Sequence, residues 1–517
     1  MHGDGVSRDG SACPVPADFC ERIIGSYASG RDSELEADVQ IARSLIPAST
    51  GSERSFRTLA AEIPTFISAA CVGCMECVNC CPDTAILAKI VEKQYYDAGI
   101  ADLPDMAKGF CVTSKYHDLP KRKGEEPGMF GIFVDPDKCK GCGECVTACG
   151  THAALKMVHK AETGLGEYDM SISLYATLPE TPRRYLNEKA LGDMMLASDS
   201  LLYSGGAGSC MGCGEVTAIR MMLAATSMVY GKDNIGIVAA TGCNSVYGST
   251  YPYNPYAVPW TNSLFENAPA DAMGIRLRWD QEGHKERRLW VLGGDGAMYD
   301  IGFQSLSRLM MSGMDVKVLV LDTQVYSNTG GQTSTATFTS QDSKMAAVGK
   351  TQNGKREHRK ELGRIMMMHP EVFVAQTTAA HMNHFYKTIM AANEYPGPAI
   401  VIVYSTCQPE HGVPDDASIR QAKLAVESRT FPLFVFDPRK GERLRECLSL
   451  QGNPAMKDDW YSDPHTGAPV DFITFARTEG RFARHFSADD TPDEHLKTAQ
   501  LDRLQNWRRL QELAGLR

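Results

Sequence analysis

Two runs of cysteine have the types and spacing to do chemistry. Cys71, Cys74, Cys77 and Cys81 stand at C-x2-C-x2-C-x3-C, followed by Pro82, and Cys139, Cys142, Cys145 and Cys149 repeat the spacing with Gly150 in place of the proline. A tight loop that offers three thiolates, with a fourth close by, can hold the corners of a cubane iron–sulfur cluster. Zinc also takes cysteine pairs, but as two separated C-x2-C pairs and not as runs of four. A different chemistry is suggested by the apolar run Leu289–Leu292, which ends in Gly293-Gly294-Asp295-Gly296. Glycines at a strand end let backbone N–H groups approach a diphosphate, and an adjacent Asp can hold a hard divalent cation. Gly-Asp-Gly alone is weak, since turns use both residues everywhere. It gains weight from the residues C-terminal to it: a helix-like segment, Ile301–Met311, closed by Gly313, then a second apolar run, Val316–Leu321, and the pair Asp322-Thr323. A third group, Cys210, Cys213, Cys243 and Cys407, sits at the edges of expected elements. Singly each reads as a small buried hydrophobe; together they could make a four-thiolate site, with zinc as the serious alternative to iron.

The elements that must position these groups fall into regions of different texture. The chain has 517 residues, enough for three or four domains at roughly 150 residues each. At 43% apolar and 22% charged residues it is an ordinary globular composition. The net charge of −10 argues against non-specific binding to nucleic acid or anionic lipid. No apolar run approaches the ~20 residues of a bilayer crossing, and the N-terminus lacks a basic region followed by an apolar one, so the expected compartment is the cytoplasm with no membrane partner. In that compartment 17 cysteines suggest metal ligation before disulfides. Short apolar runs at Ile235–Ala240, Leu289–Leu292, Val316–Leu321, Val372–Gln376 and Ala399–Tyr404 alternate with helix-length segments. That rhythm predicts βαβ units and a doubly wound α/β fold with a parallel sheet. The expected division is an N-terminal extension (1–63) with a helix over Glu34–Leu45, a cysteine-rich domain (64–160) with a polar insertion, a linker (161–200), the α/β domain (201–435) and a helical C-terminal tail (436–517).

The cysteine-rich region resembles bacterial two-cluster ferredoxin domains. In those, the fourth ligand of each cluster comes from the other repeat, so the expected sets are Cys71, Cys74, Cys77 with Cys149, and Cys139, Cys142, Cys145 with Cys81. The segment around Asp295 and Asp322-Thr323 resembles the thiamine diphosphate motif, with Thr323 where Asn is usual. More broadly, residues 210–215, Thr241-Gly242-Cys243, 262–266, 293–300, 322–332 and Ser405-Thr406-Cys407 resemble the pyruvate:ferredoxin oxidoreductase family, over about 64–434 and in the order of its C-terminal half.

That resemblance implies thiamine diphosphate, Mg2+ and three [4Fe–4S] clusters. Cys210, Cys213, Cys243 and Cys407 would hold a proximal cluster; Asp295, Thr323 and the main chain of Val325 would hold Mg2+. Glu215, Cys243, Gly294, Asp295, Gly296, Ala297, Thr323, Val325 and Asn328 would surround the cofactor, with Asn328 as the catalytic side chain near the reacting carbon. The implied activity is CoA-dependent oxidative decarboxylation of a 2-oxo acid, with electrons passing through the clusters to ferredoxin or flavodoxin. Pyruvate is favoured by Tyr251-Pro252-Tyr253 and residues 262–266; 2-oxoglutarate, oxalate, or a non-catalytic electron-transfer subunit are the alternatives. The family's pyrimidine-, substrate- and CoA-binding parts are expected on a partner subunit, in an (αβ)2 assembly. Cys13, Cys20, Cys80, Cys111 and Cys447 are left without a role.

Overall fold

The computed structural model describes residues 18–36 and 46–517. Cys13 and most of the helix expected over Glu34–Leu45 lie outside the described residues. Two compact units divide the chain: Met1–Gly212 with Ile219–Lys232 and Val246–Pro259, and Cys213–Ala218 with Asp233–Ser245 and Trp260–Arg517.

In the first unit the strands are β1 (Glu62–Phe66), β2 (Ile86–Glu92), β3 (Phe110–Cys111), β4 (Gly128–Val134) and β5 (Leu155–His159). They form a three-stranded sheet, β2-β4-β3, and a separate β1-β5 pair, all antiparallel. The polar insertion connects β2 to β4, whose side chains are buried along its whole length. The two cysteine runs fold alike. Each loop leads into a short helix, α1 (Glu76–Cys80) or α2 (Glu144–Cys149). Each also turns through left-handed backbone at the same two places: Gly73 (φ 71°) and Met75 (φ 70°) in the first, Gly141 (φ 74°) and Gly143 (φ 82°) in the second. Positive φ curls a loop tightly enough to aim successive thiols at one point, which ordinary extended backbone cannot do.

The second unit is built on an eight-stranded sheet. Its strands are β6 (Ile235–Ala240), β7 (Trp260–Ser263), β8 (Arg288–Gly294), β9 (Lys317–Asp322), β10 (Phe373–Thr378), β11 (Ala399–Tyr404), β12 (Phe434–Phe436) and β13 (Leu448–Ser449), in the order β13-β12-β10-β11-β9-β8-β6-β7. From β10 to β7 all pairings are parallel; β12 and β13 add antiparallel to one edge. All five apolar runs singled out from the sequence are strands, because a strand covered on both faces must be apolar throughout. The helix expected over Ile301–Met311 is α-helical from Phe303 to Met310, preceded by a π-helical turn over Gly296–Ile301.

The C-terminal residues do not form a tail of their own. Phe472, Phe475, Leu496 and Trp507 are buried in the same core as Val291, Val318 and Ile400 of the sheet. The last helix, Glu494–Leu513, is capped by Asp493, whose carboxylate accepts from the Leu496 N–H. On it Trp507 is wholly buried, and its indole donates to the Asp458 carbonyl at 2.8 Å.

Candidate active site

The strand order reverses beside β8: from β6 the chain runs outward to β7, then returns to β8 on the other side of β6. In an open parallel sheet the crevice beyond the carboxyl ends of the strands at such a switch is where ligands sit. A cavity of about 230 Å³ lies there, lined by Thr241-Gly242-Cys243 after β6, Gly294 to Ala297 after β8, Thr323 and Val325 to Thr329 after β9, and Glu215 and Phe265. Every residue expected around thiamine diphosphate lines it, Asn328 included.

Within it, Asp295 is 1% exposed. Its Oδ1 lies 3.1 Å from the Thr323 hydroxyl and accepts the Thr323 N–H at 3.3 Å, while Ser334 donates to Oδ2 at 2.5 Å. The Thr323 hydroxyl is also 3.2 Å from the Val325 carbonyl and 2.6 Å from the Ser327 hydroxyl. A carboxylate, a hydroxyl and a carbonyl thus converge, the hard-oxygen donor set that Mg2+ takes beside phosphate. Burial, reinforced by the neighbouring Asp322 charge, holds the Asp295 carboxyl well above the usual carboxylate range. Such a group fits a bound cation, which would repay its desolvation. Gly296 has no room for a side chain, since a Cβ would meet the Tyr326 ring at 2.5 Å.

In the first unit, one narrow cavity is lined by Cys71, Cys74, Cys77 and Cys149, and another by Cys81, Cys139, Cys142 and Cys145. The fourth thiol of each ring therefore comes from the opposite run. Backbone N–H groups donate to two of these sulfurs, Ala85 to Cys81 at 3.3 Å and Ala154 to Cys149 at 3.2 Å. Burial pushes the Cys139 thiol up to about 12 and those of Cys77, Cys142 and Cys145 well above the ordinary value. Metal bound to the thiolates would offset their burial, and four thiols in each ring fit a cluster. Among the described residues no three His, Cys, Asp or Glu side chains converge on a position for a single ion. The neighbouring Cys111 thiol holds Cys71 below the ordinary thiol value.

Of the third set, Cys213, Cys243 and Cys407 belong to the second unit and Cys210 to the first. The N-terminus of the helix Gly214–Tyr230 meets the end of β11, where the Gly214 N–H donates to the Thr406 carbonyl at 3.2 Å. This brings the residues beside Cys213 and Cys407 together.

The thiamine pyrophosphate enzyme, C-terminal TPP binding domain family matches residues 240–403, and the 4Fe-4S binding domain family matches residues 132–154. A probable pyruvate-flavodoxin oxidoreductase of Escherichia coli (strain K12) is 31% identical over 89% of this chain and 42% of its own length. The pyruvate:ferredoxin oxidoreductase of Moorella thermoacetica is 28% identical over 91% of this chain and 44% of its own. The chain is a relative of the pyruvate:ferredoxin oxidoreductases. It spans less than half the length of these relatives. A solved 2-oxoglutarate:ferredoxin oxidoreductase from Magnetococcus marinus covers 39% of this chain and 64% of its own, at 21% identity and a TM-score of 0.34, too loose a match to carry any argument.

Against that relationship, several residues at the cavity stand outside every motif read from the sequence. Ser334 donates to Asp295 from 39 positions away, and Asn244 lines the cavity beside Cys243. His411, four residues beyond Cys407, donates from Nε2 to the Thr323 carbonyl at 2.8 Å. No spacing rule singles out such residues; a lone Ser or His after a strand has no signature of its own. No described helix is long and apolar enough to cross a membrane.

Proposed function

We propose that this chain is the thiamine- and cluster-binding part of a CoA-dependent 2-oxo acid oxidoreductase that oxidatively decarboxylates pyruvate and passes the electrons to ferredoxin or flavodoxin. The observation that carries this reading is the convergence of Asp295, Thr323 and the Val325 carbonyl in the crevice at the switch point of the sheet. An electron-transfer protein has no use for a buried, cation-ready carboxylate there. The relationship to pyruvate oxidoreductases supports the substrate class.

Thiamine diphosphate, when bound, supplies a nucleophilic carbon through which a 2-oxo acid loses carbon dioxide and two electrons, and iron–sulfur clusters supply one-electron acceptors. The chain's own residues have distinct parts in this reading. Asp295, Thr323 and the Val325 carbonyl hold the cation, and the backbone around Gly294 and Gly296 admits the diphosphate. Glu215, Cys243 and Ala297 wall the cofactor, and the Asn328 amide orients the substrate carbonyl or stabilises charge developing on it. Eight cysteines hold two clusters, in the sets that ring the two cavities, and Cys210, Cys213, Cys243 and Cys407 hold a third. A cavity of about 230 Å³ is smaller than the roughly 300–1,000 Å³ of complete small-molecule sites, in keeping with a half-site. The pyrimidine-, substrate- and CoA-binding groups would then come from polypeptide outside residues 1–517. A separate partner subunit in an (αβ)2 assembly is one arrangement; the longer single-chain relatives lend it no support.

The test is iron, acid-labile sulfide, magnesium and thiamine content of the anaerobically purified protein with whatever co-purifies, followed by dye reduction with pyruvate, 2-oxoglutarate and oxalate. About twelve irons with one thiamine and one magnesium per chain, and pyruvate preferred, is the expected result. About eight irons with zinc and no thiamine would overturn it.

A further inference from the structure

The residue after Thr323 is held in an unusual state. Gln324 is fully buried and has left-handed backbone, φ 59°, which side chains other than glycine rarely adopt. The turn it makes is what folds the Val325 carbonyl back to 3.2 Å from the Thr323 hydroxyl. Both ends of its side chain and its carbonyl are engaged. The Gln324 amide donates to Asp322 Oδ1 at 3.0 Å, and Oε1 accepts from Arg481 Nη1 at 3.0 Å. Its carbonyl accepts from the Thr337 hydroxyl at 2.6 Å.

Arg481 comes from the C-terminal segment, 157 positions away, and is itself fixed by Glu479, whose Oε2 lies 2.5 Å from Arg481 Nε. Glu479 Oε1 accepts from Tyr404 and Gln421, both at 3.1 Å. His411 also grips this loop, at the Thr323 carbonyl, with its Nδ1 3.8 Å from Glu479. The tier beneath the loop is therefore continuous, from Glu479 through Arg481 to Gln324 and through His411 to Thr323.

We propose that Gln324, braced by Arg481 and Glu479, is a positioning residue for the divalent cation, with His411 fixing the same loop at the Thr323 carbonyl. It touches neither cation nor substrate; it holds a strained turn so that the Thr323 hydroxyl and the Val325 carbonyl face Asp295 before any ligand arrives. This rests on the reading of the cavity as a Mg2+–thiamine diphosphate site.

The experiment is calorimetric titration of the cofactor-stripped protein, purified together with the polypeptide that completes the half-site, with Mg2+ in the presence of thiamine diphosphate, alongside its melting temperature. Gln324→Met keeps the side chain's length but removes both amide contacts, and should raise the Mg2+ dissociation constant tenfold or more. Gln324→Gly, which adopts positive φ freely, should recover part of that loss although it removes more side chain. A merely structural role would lower the melting temperature, more in Gln324→Gly than in Gln324→Met, and leave Mg2+ affinity unchanged in both. His411→Leu, which removes only the grip on the Thr323 carbonyl, provides the same readout if Gln324→Met does not fold. Wild-type binding with unaltered affinity in the variants overturns the positioning role. Absence of Mg2+ and thiamine diphosphate binding by the wild-type protein overturns the site reading itself.

Discussion

Asp295 shows how one side chain couples the site to stability. Its carboxyl titrates well above the ordinary carboxylate value of 3.8 because burial and the Asp322 charge disfavour the anion. The unfolded chain gives up that proton first, so the group costs the cation-free fold stability as pH rises from about 4 toward its folded pKa. A bound cation removes the cost. The rise in melting temperature on adding Mg2+ with thiamine diphosphate should therefore be larger at pH 8 than at pH 5, and Asp295→Asn should abolish it while raising the melting temperature of the cofactor-free protein at pH 8. Calorimetric scans at the two pH values check both outcomes. The cysteines give a second test at this scale, because the rings cross the two runs. Cys149→Ser should lower iron by about four atoms per chain and spare the cluster of Cys139, Cys142, Cys145 and Cys81. Iron analysis with resonance Raman or electron paramagnetic resonance of the remaining cluster would reveal the opposite pairing, in which Cys149 serves its own run.

Among elements, the junction of the Gly214–Tyr230 helix with β11 is closely fitted. A Cβ on Gly214 would stand 2.6 Å from the Thr406 N, a backbone atom that cannot swing aside. Gly214→Val should destabilise the protein by about 1–3 kcal/mol through overpacking, and separate Cys213 from Cys407. Denaturant unfolding and iron content of the variant test the two parts independently. If iron is unchanged while stability falls, the Cys213–Cys407 pairing in a cluster is wrong. The left-handed residues of the two cysteine loops were partly legible, since Gly73, Gly141 and Gly143 mark turns. Met75 carries no such mark and takes the same backbone as Gly143, which only the fold around it can impose.

For the molecule as a whole, the C-terminal region is a structural member of the α/β unit. Trp507 is wholly buried, with the Arg429 guanidinium 4.3 Å from its ring centre. Trp507→Ala should cost about 3–5 kcal/mol, and a chain ending at residue 493 should fail to give a cooperative unfolding transition by circular dichroism. A solvated tail would tolerate both changes. Cysteine spacing and the alternation of strand and helix were local patterns, so the sequence by itself pointed to a cluster-binding region and a parallel sheet; the glycine–aspartate turn was weak alone, and the residues lining the cavity were legible through the family resemblance. Spacing works there because a loop or a strand end brings neighbours in sequence to one ligand. The tertiary structure alone decided that the C-terminal segment packs into the sheet's core, that Ser334 reaches Asp295, and that Arg481 reaches Gln324 and His411 the Thr323 carbonyl in the loop after β9. Those contacts join residues from 39 to 157 positions apart, and nothing local in a lone Ser, His or Arg records which distant partner burial will give it.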